Sequence, residues 1–363
     1  MAAPMADGGD LVMLMEVSQL KKLALLLRNN EEAQITQAVK SQNERVKYLH
    51  SVNHAYNHAV DLLDDGTATR DKYAAAPAGG GGGEAKASIA EDVLEYVKYG
   101  LNMSMQNVRN CCLRVDCIGK IRAHYDSLVA DLAGLHADDV ANLRRLAKDT
   151  AMFKECMFEH CNKLRSGSAR AMSKAFSMML KQEGIKFPDL VKRHKNKLGF
   201  EGEFEHLTDA QKLEVYNSII EESSRAKMPV TEMVSTAAGV AVLLATAGLM
   251  VWDIFTAEHT VEAVLRNSLN ALAEVGAFAV QVVVEGAVTE AVADLELGVF
   301  VVSMAGFVAG AVAGILFVAV AGVLVDLIMG TAGNVAPPVT DLKFHTATMP
   351  DGMQLAYIIS HRG

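Results

Sequence analysis

Between residues 11 and 64 the apolar positions fall mostly at helical spacing: Leu20, Leu23, Ala24 and Leu27, then Ile35, Val39, Val46, Leu49 and Val52. The pattern predicts one long helix, or two nearly collinear ones, stopped at Asp64, Asp65 and Gly66. A second helix is expected from Ser88, an N-cap with Glu91 at capping-box spacing, to Gly134. A third runs from Asp138 to Gly184. Both exceed the usual globular length of roughly 8–20 residues, which points to an elongated antiparallel bundle or coiled coil. Pro188 interrupts the pattern, and Thr208 opens a shorter helix that ends before Pro229.

The pattern then changes character. Residues 233–252 carry no charge, with Ala237, Ala241 and Ala245 on one small-residue face. An apolar segment at 271–293 is broken by Glu274, Gln281, Glu285 and Glu290, the first three on one helical face. Residues 297–325 follow, twenty-nine without a charge, between Glu296 and Asp326. About 20 apolar helical residues cross a hydrocarbon core of about 30 Å, so this run is long enough to span a bilayer. Gly298, Gly306, Gly310, Gly314, Gly322 and Gly330 are spaced by four or eight residues. They set a glycine-zipper stripe of the small-xxx-small kind that lets helices approach closely in lipid. Asp294 and Glu296, between the two segments, suit the turn of a helical hairpin and the N-terminus of its second helix. In the tail, LKFHTATM and MQLAYIIS flank Pro350, Asp351 and Gly352 and predict a terminal β-hairpin.

The expected organisation is therefore all-α. It comprises an N-terminal helix over 1–73, a Gly-rich flexible and disordered linker over 74–87, a helical bundle over 88–230, apolar membrane-competent helices over 231–330, and a tail with the β-hairpin over 331–363. Composition sharpens this division. The chain is 51% hydrophobic with a mean hydropathy of +0.18, high for a freely soluble protein. Residues 233–363 hold eleven acidic against three basic side chains, and the rest is nearly balanced within a net charge of −9. Neither part has the basic surface of a nucleic-acid binder. The N-terminus has no positive region before its first apolar run, so no signal peptide is expected. Five cysteines, an odd number in a large chain, suit a reducing compartment. Together these place the protein inside the cell, membrane-associated, with its N-terminal domain in the cytoplasm.

Candidate chemistry is sparse. His50, His54 and His58 recur every four residues and could share a metal, but no carboxylate completes a motif, and a polar helix face explains them as well. Cys111, Cys112, Cys117, Cys156 and Cys161 form no CxxC and read as buried thiols. The run Lys192, Arg193, His194, Lys195 and Lys197 reads either as a solvated face or as a contact for anionic headgroups. The five glycines at 79–83 lack the Lys and Ser/Thr of a phosphate loop. No catalytic constellation and no cofactor are expected. Three readings stay open for the C-terminal acids. Glu274, Gln281 and Glu285 mark an exposed stripe, or they line a cation-preferring lumen; alternatively Glu290, Asp294 and Glu296 form a proton trigger for insertion.

An elongated bundle joined to an apolar hairpin resembles the soluble α-helical pore-forming proteins of the cytolysin A and haemolysin BL type. The resemblance covers the arrangement of residues 11–330. It implies a non-enzymatic protein whose partner is the lipid membrane, which forms a homo-oligomer when membrane-bound and permeabilises the bilayer. Without a signal peptide, the role it implies is a defence or cell-death effector acting on its own cell's membranes. The competing expectation is a constitutive multi-span anchor carrying a cytoplasmic coiled-coil scaffold, with Arg225 and Lys227 on the inner side.

Overall fold

The computed structural model describes residues 13–40, 42–75, 81–108, 111–136, 138–165, 167–185, 187–223, 227–228, 236–256, 281–283, 315–318, 343–347, 350 and 352–361. The class is all-α, and its main body is a helical bundle. Its helices are α1 (Val17–Ala38), α2 (Gln42–Ala74), α3 (Gly81–Asn107), α4 (Cys111–Gly134), α5 (Val140–Arg165), α6 (Gly167–Gln182), α7 (Phe187–Lys197), α8 (Asp209–Glu222), α9 (Ala237–Thr256) and α10 (Gly352–His361). Three short strands, β1 (Gln281–Val283), β2 (Ile315–Val318) and β3 (Lys343–Ala347), form a small sheet in the order β1-β3-β2. β1 runs parallel to β3 and β2 antiparallel to it.

The long sequence periods fold back on themselves. The first is neither a single rod nor a collinear pair but a hairpin: Arg28 on α1 donates to Asn53 on α2 at 2.7 Å, and Lys21 pairs with Asp64. Ile35, Val39, Tyr48, Val52 and Cys111 close its turn in a satellite core, which explains how a reversal can hide inside an unbroken apolar pattern. The Gly-rich linker is corrected in the same sense. Residues 76–80 lie outside the description, but helix α3 begins at Gly81 rather than Ser88, and Lys86 comes within 5.8 Å of the Tyr73 ring across the connection. Glycines carry a helix at a cost of only about 1 kcal/mol each, which the packing of α3 on α2, α4 and α5 offsets. The second and third periods are likewise divided, α3 from α4 and α5 from α6. α3 and α4 are antiparallel neighbours, with Tyr96 against His124 and Gly100 against Ile121. α3 and α5 instead run parallel: Lys154 reaches Asp92 at 2.6 Å, and the Cys161 thiol reaches the Tyr99 carbonyl at 3.4 Å.

Some local signals held and others did not: α2 runs through Asp64, Asp65 and Gly66 to Ala74, and α3 passes through the Ser88–Glu91 box, whereas the boundaries at Gly184, Pro188 and Thr208 stand. α6 ends with Gly184 at φ 69; Ile185 N–H donates to the Leu180 carbonyl at 2.9 Å and Gly184 N–H to the Lys181 carbonyl at 3.2 Å, a glycine-ended helix stop. Thr208 caps α8, accepting from Gln211 N–H at 3.3 Å while Gln211 Oε1 accepts from Thr208 N–H at 3.0 Å. Pro188 sits in the first turn of α7, where its missing N–H removes no helical bond. The tail differs from expectation. β3 matches the first predicted strand but pairs with β1 and β2, and the stretch predicted as its partner is helix α10, docked on α1 and α3. A short apolar run satisfies either period, and contact with the bundle decides it.

Candidate functional site

The element that most distinguishes this bundle is α9. Its sequence, AAGVAVLLATAGLMVWDIFT, has no polar face, so a stable place for it must cover every side. Residues 242–251 are buried without interruption, nearly three full turns, and Ile254 and Phe255 extend the buried surface. α4, α6 and α8 supply the cover. The few polar groups are satisfied locally. Thr236 accepts from Gly239 N–H at 3.1 Å at the start of the helix, Thr246 Oγ1 donates to the Val242 carbonyl at 2.8 Å, and Ser177 on α6 donates to the Phe255 carbonyl at 2.7 Å near the end. The approach to α9 is fixed by Asn217 of α8. Its buried amide accepts from Met228 N–H at 2.7 Å and donates to the Met228 carbonyl at 3.0 Å.

Two buried polar pairs lie elsewhere in the core. Glu31 and Arg114 are 1% and 2% exposed, with Oε1 and Nη1 2.5 Å apart. The guanidinium also donates twice to the Val108 carbonyl, at 3.0 and 2.7 Å, and so ties α1 to the α3–α4 corner. Burial raises the Glu31 pKa, and Arg114 opposes that rise. A void of about 10 Å³, room for a single water, adjoins the pair beside Arg28 and Tyr56. The second pair is His124 and Tyr96, with Nδ1 and the phenol oxygen 3.0 Å apart and the imidazole 4.1 Å from the Phe153 ring. His124 Nε2 has no hydrogen-bond partner, and burial lowers the His124 pKa to about 4. Neither pair was nominated from the sequence, although a signal existed. Glu31 continues the row Leu23, Leu27, Glu31, Ile35, and His124 stands between Ile121 and Leu128 on the core stripe of α4.

The residues nominated from sequence separate sharply. Of the small face on α9, Ala237 is exposed, Ala241 half-buried and Ala245 buried, so only its C-terminal part is a packing surface within the bundle. Gly298, Gly306, Gly310, Gly314 and Gly322, with Glu274, Glu285, Glu290, Asp294 and Glu296, lie outside the described residues. Gln281 is described, and it corrects the helical expectation for its position: it starts β1, opposite Lys343 of β3. Ile315–Val318, expected within the glycine-striped helix, forms β2. Both runs are rich in β-branched or aromatic residues, which suit a strand as well as an apolar helix.

The basic run divides: Lys192, Arg193 and Lys197 are exposed, as a solvated face would have them, and the other two are taken into the fold. His194 and Lys195 are buried, His194 pairs with Ser218 at 2.9 Å, Lys195 donates to the Gly202 carbonyl, and Lys197 meets Glu222 at 2.9 Å. Cys111, Cys117 and Cys161 are buried thiols outside any disulfide, Cys156 is half-buried, and burial holds the Cys117 pKa up to about 12. His50, His54 and His58 stack along α2 at 5.1 and 4.3 Å, and among the described residues no His, Cys, Asp and Glu group is arranged to hold a metal ion. Among the same residues no helix is long and apolar enough to cross a membrane. Comparison with protein families, with curated proteins and with solved structures found no match to this chain.

Proposed function

We propose that this protein is a membrane-associating helical protein of the pore-forming kind, whose bundle is the water-side carrier of an apolar C-terminal third. The observation that carries the reading is the unbroken burial of residues 242–251 of α9, a helix without a polar face, under α4, α6 and α8. Such a helix is stable in water only while covered, and lipid is the other surrounding that suits it. The apolar segments at 271–293 and 297–325 follow it directly in the chain. The partner is the lipid membrane, and the glycines ahead of β2, Gly298, Gly306, Gly310 and Gly314, are the surface for homo-oligomer formation there. The activity is non-enzymatic and ends in permeabilisation, as suits a defence or cell-death effector acting from inside the cell. A permanent multi-span anchor is the weaker reading, because residues 242–251 of α9 are already covered by protein.

The test is whether protein purified without detergent binds and empties dye-loaded phospholipid vesicles, with Gly310→Leu beside it. Leakage from the native protein and its loss in the variant support the reading. A protein recovered only from the carbonate-washed membrane pellet points to the anchor, and indifference to vesicles at every pH tried overturns both.

A further inference from the structure

The chain enters the bundle as an extended segment, and its main chain is held by two side-chain amides. Met13 N–H donates to Gln106 Oε1 at 2.7 Å, and Gln106 Nε2 donates back to the Met13 carbonyl at 2.7 Å. Two residues on, Met15 N–H donates to Asn102 Oδ1 at 2.9 Å, and Asn102 Nδ2 donates to the Met15 carbonyl at 3.1 Å. The spacing explains the fit. Four residues of α3 rise about 6 Å, close to the roughly 6.6 Å spanned by two residues of extended chain. Asn102 and Gln106 are each 1% exposed and bonded to one another at 3.0 Å, so the pair is a rigid fixture. One turn earlier, Lys98 meets Glu16 at 2.6 Å and Glu95 at 2.7 Å. All four amide bonds go to backbone groups, so the polar part of the site reads main chain, while the Met15 side chain beside it is buried in the core.

The other end of the chain docks on the same stretch of α3. A Cβ at Gly352 would lie 2.1 Å from the Met105 carbonyl oxygen and 2.9 Å from the Gln106 Cα, so only glycine lets α10 sit there. Met353 and Ala356 are buried, and α10 packs on α1 as well as on α3. The segment clamped by Asn102 and Gln106 leads into the N-terminus of α1, the other wall of the α10 seat.

We propose that residues 102–106 of α3 are a two-ended catch, a main-chain-reading site for residues 13–15 joined to a glycine seat for α10. Closed, it holds the distal end of the apolar third on the bundle; opening at either end releases both. The meaning of that release rests on the membrane reading above, whereas the catch itself can be measured without lipid.

Hydrogen exchange followed by mass spectrometry on the full chain is the test. In Asn102→Leu/Gln106→Met, the Met13 and Met15 amides and those of α10 are expected to exchange together, about tenfold faster or more. Coupling is reciprocal, so Gly352→Val is expected to speed Met13 and Met15 as well as α10. Met13→Leu, which keeps the backbone, changes neither. Freed residues 13–15 with α10 still protected overturn the proposal, as does an opened α10 in Gly352→Val with Met13 and Met15 unchanged. Should the double variant fail to fold, Met15→Pro removes one donor, and exchange is then read at the Met13 amide and across α10. Flotation with phosphatidylcholine/phosphatidylserine vesicles then separates the two ideas: an opened catch without a gain in flotation overturns the membrane reading and leaves the catch standing.

Discussion

The imidazole of His124 is 1% exposed, bonded through Nδ1 to Tyr96 and packed on Phe153, and its pKa falls to about 4 from 6.5 through burial. The folded state therefore prefers the neutral ring, while the unfolded chain takes up a proton once the pH drops below 6.5. Stability carried by this group is complete above that value and is lost as the pH falls toward 4, by about 3 kcal/mol over the whole window. Urea denaturation at pH 7 and pH 4.5 is expected to show a smaller acid loss in His124→Gln than in the native protein. The Glu31–Arg114 pair behaves differently, because each charge depends on the other. Arg114→Met leaves a buried carboxylate and is expected to cost about 3–5 kcal/mol. Glu31→Leu/Arg114→Met should recover much of that, short of full recovery by about 1–3 kcal/mol for the Val108 carbonyl that Arg114 bonds. A double-mutant cycle in urea checks both values.

At the level of elements, the boundaries legible in the sequence were those set by chemistry within a few residues. The Thr208–Gln211 capping box is one, and Thr208→Ala is expected to lower stability by about 1 kcal/mol in thermal or urea unfolding. The reversals between α1 and α2 and between α3 and α4 carry no such mark. Val39 and Val108 are buried there, so an apolar pattern runs through the turn and reads as a continuing helix. α9 illustrates the opposite case: its composition announced an apolar helix, but not what would cover it. Truncating that cover is expected to be severe. Leu244→Ala, at a side chain with no exposure, should cost about 2–5 kcal/mol, whereas Ala237→Ser at the exposed start should cost almost nothing.

At the scale of the whole molecule, one continuous core runs from Met15 to Ala356, so the first and last described helices belong to the same body as α9. A protein built this way is expected to unfold the bundle and uncover α9 in one step. Apolar-dye fluorescence and loss of helical circular dichroism should rise and fall with a single denaturation midpoint; two separated midpoints would mean that α9 can leave an intact bundle. Gly310→Leu, in the apolar segment beyond the described helices of the bundle's core, is expected to leave that midpoint unchanged while reducing vesicle leakage.

Sequence alone determined the helical class, the cap at Thr208 and the stop at Gly184, and the concentration of apolar residues in the last third, because each depends on residue type and near-neighbour spacing. Tertiary structure decided where the rods turn back, that α3 and α5 run parallel, that residues 353–360 are helix rather than strand, and that Glu31, His124, Asn102 and Gln106 are buried with the partners they have. Those outcomes depend on groups from 25 to more than 240 positions apart in the chain meeting in one place, and no local pattern encodes such a meeting.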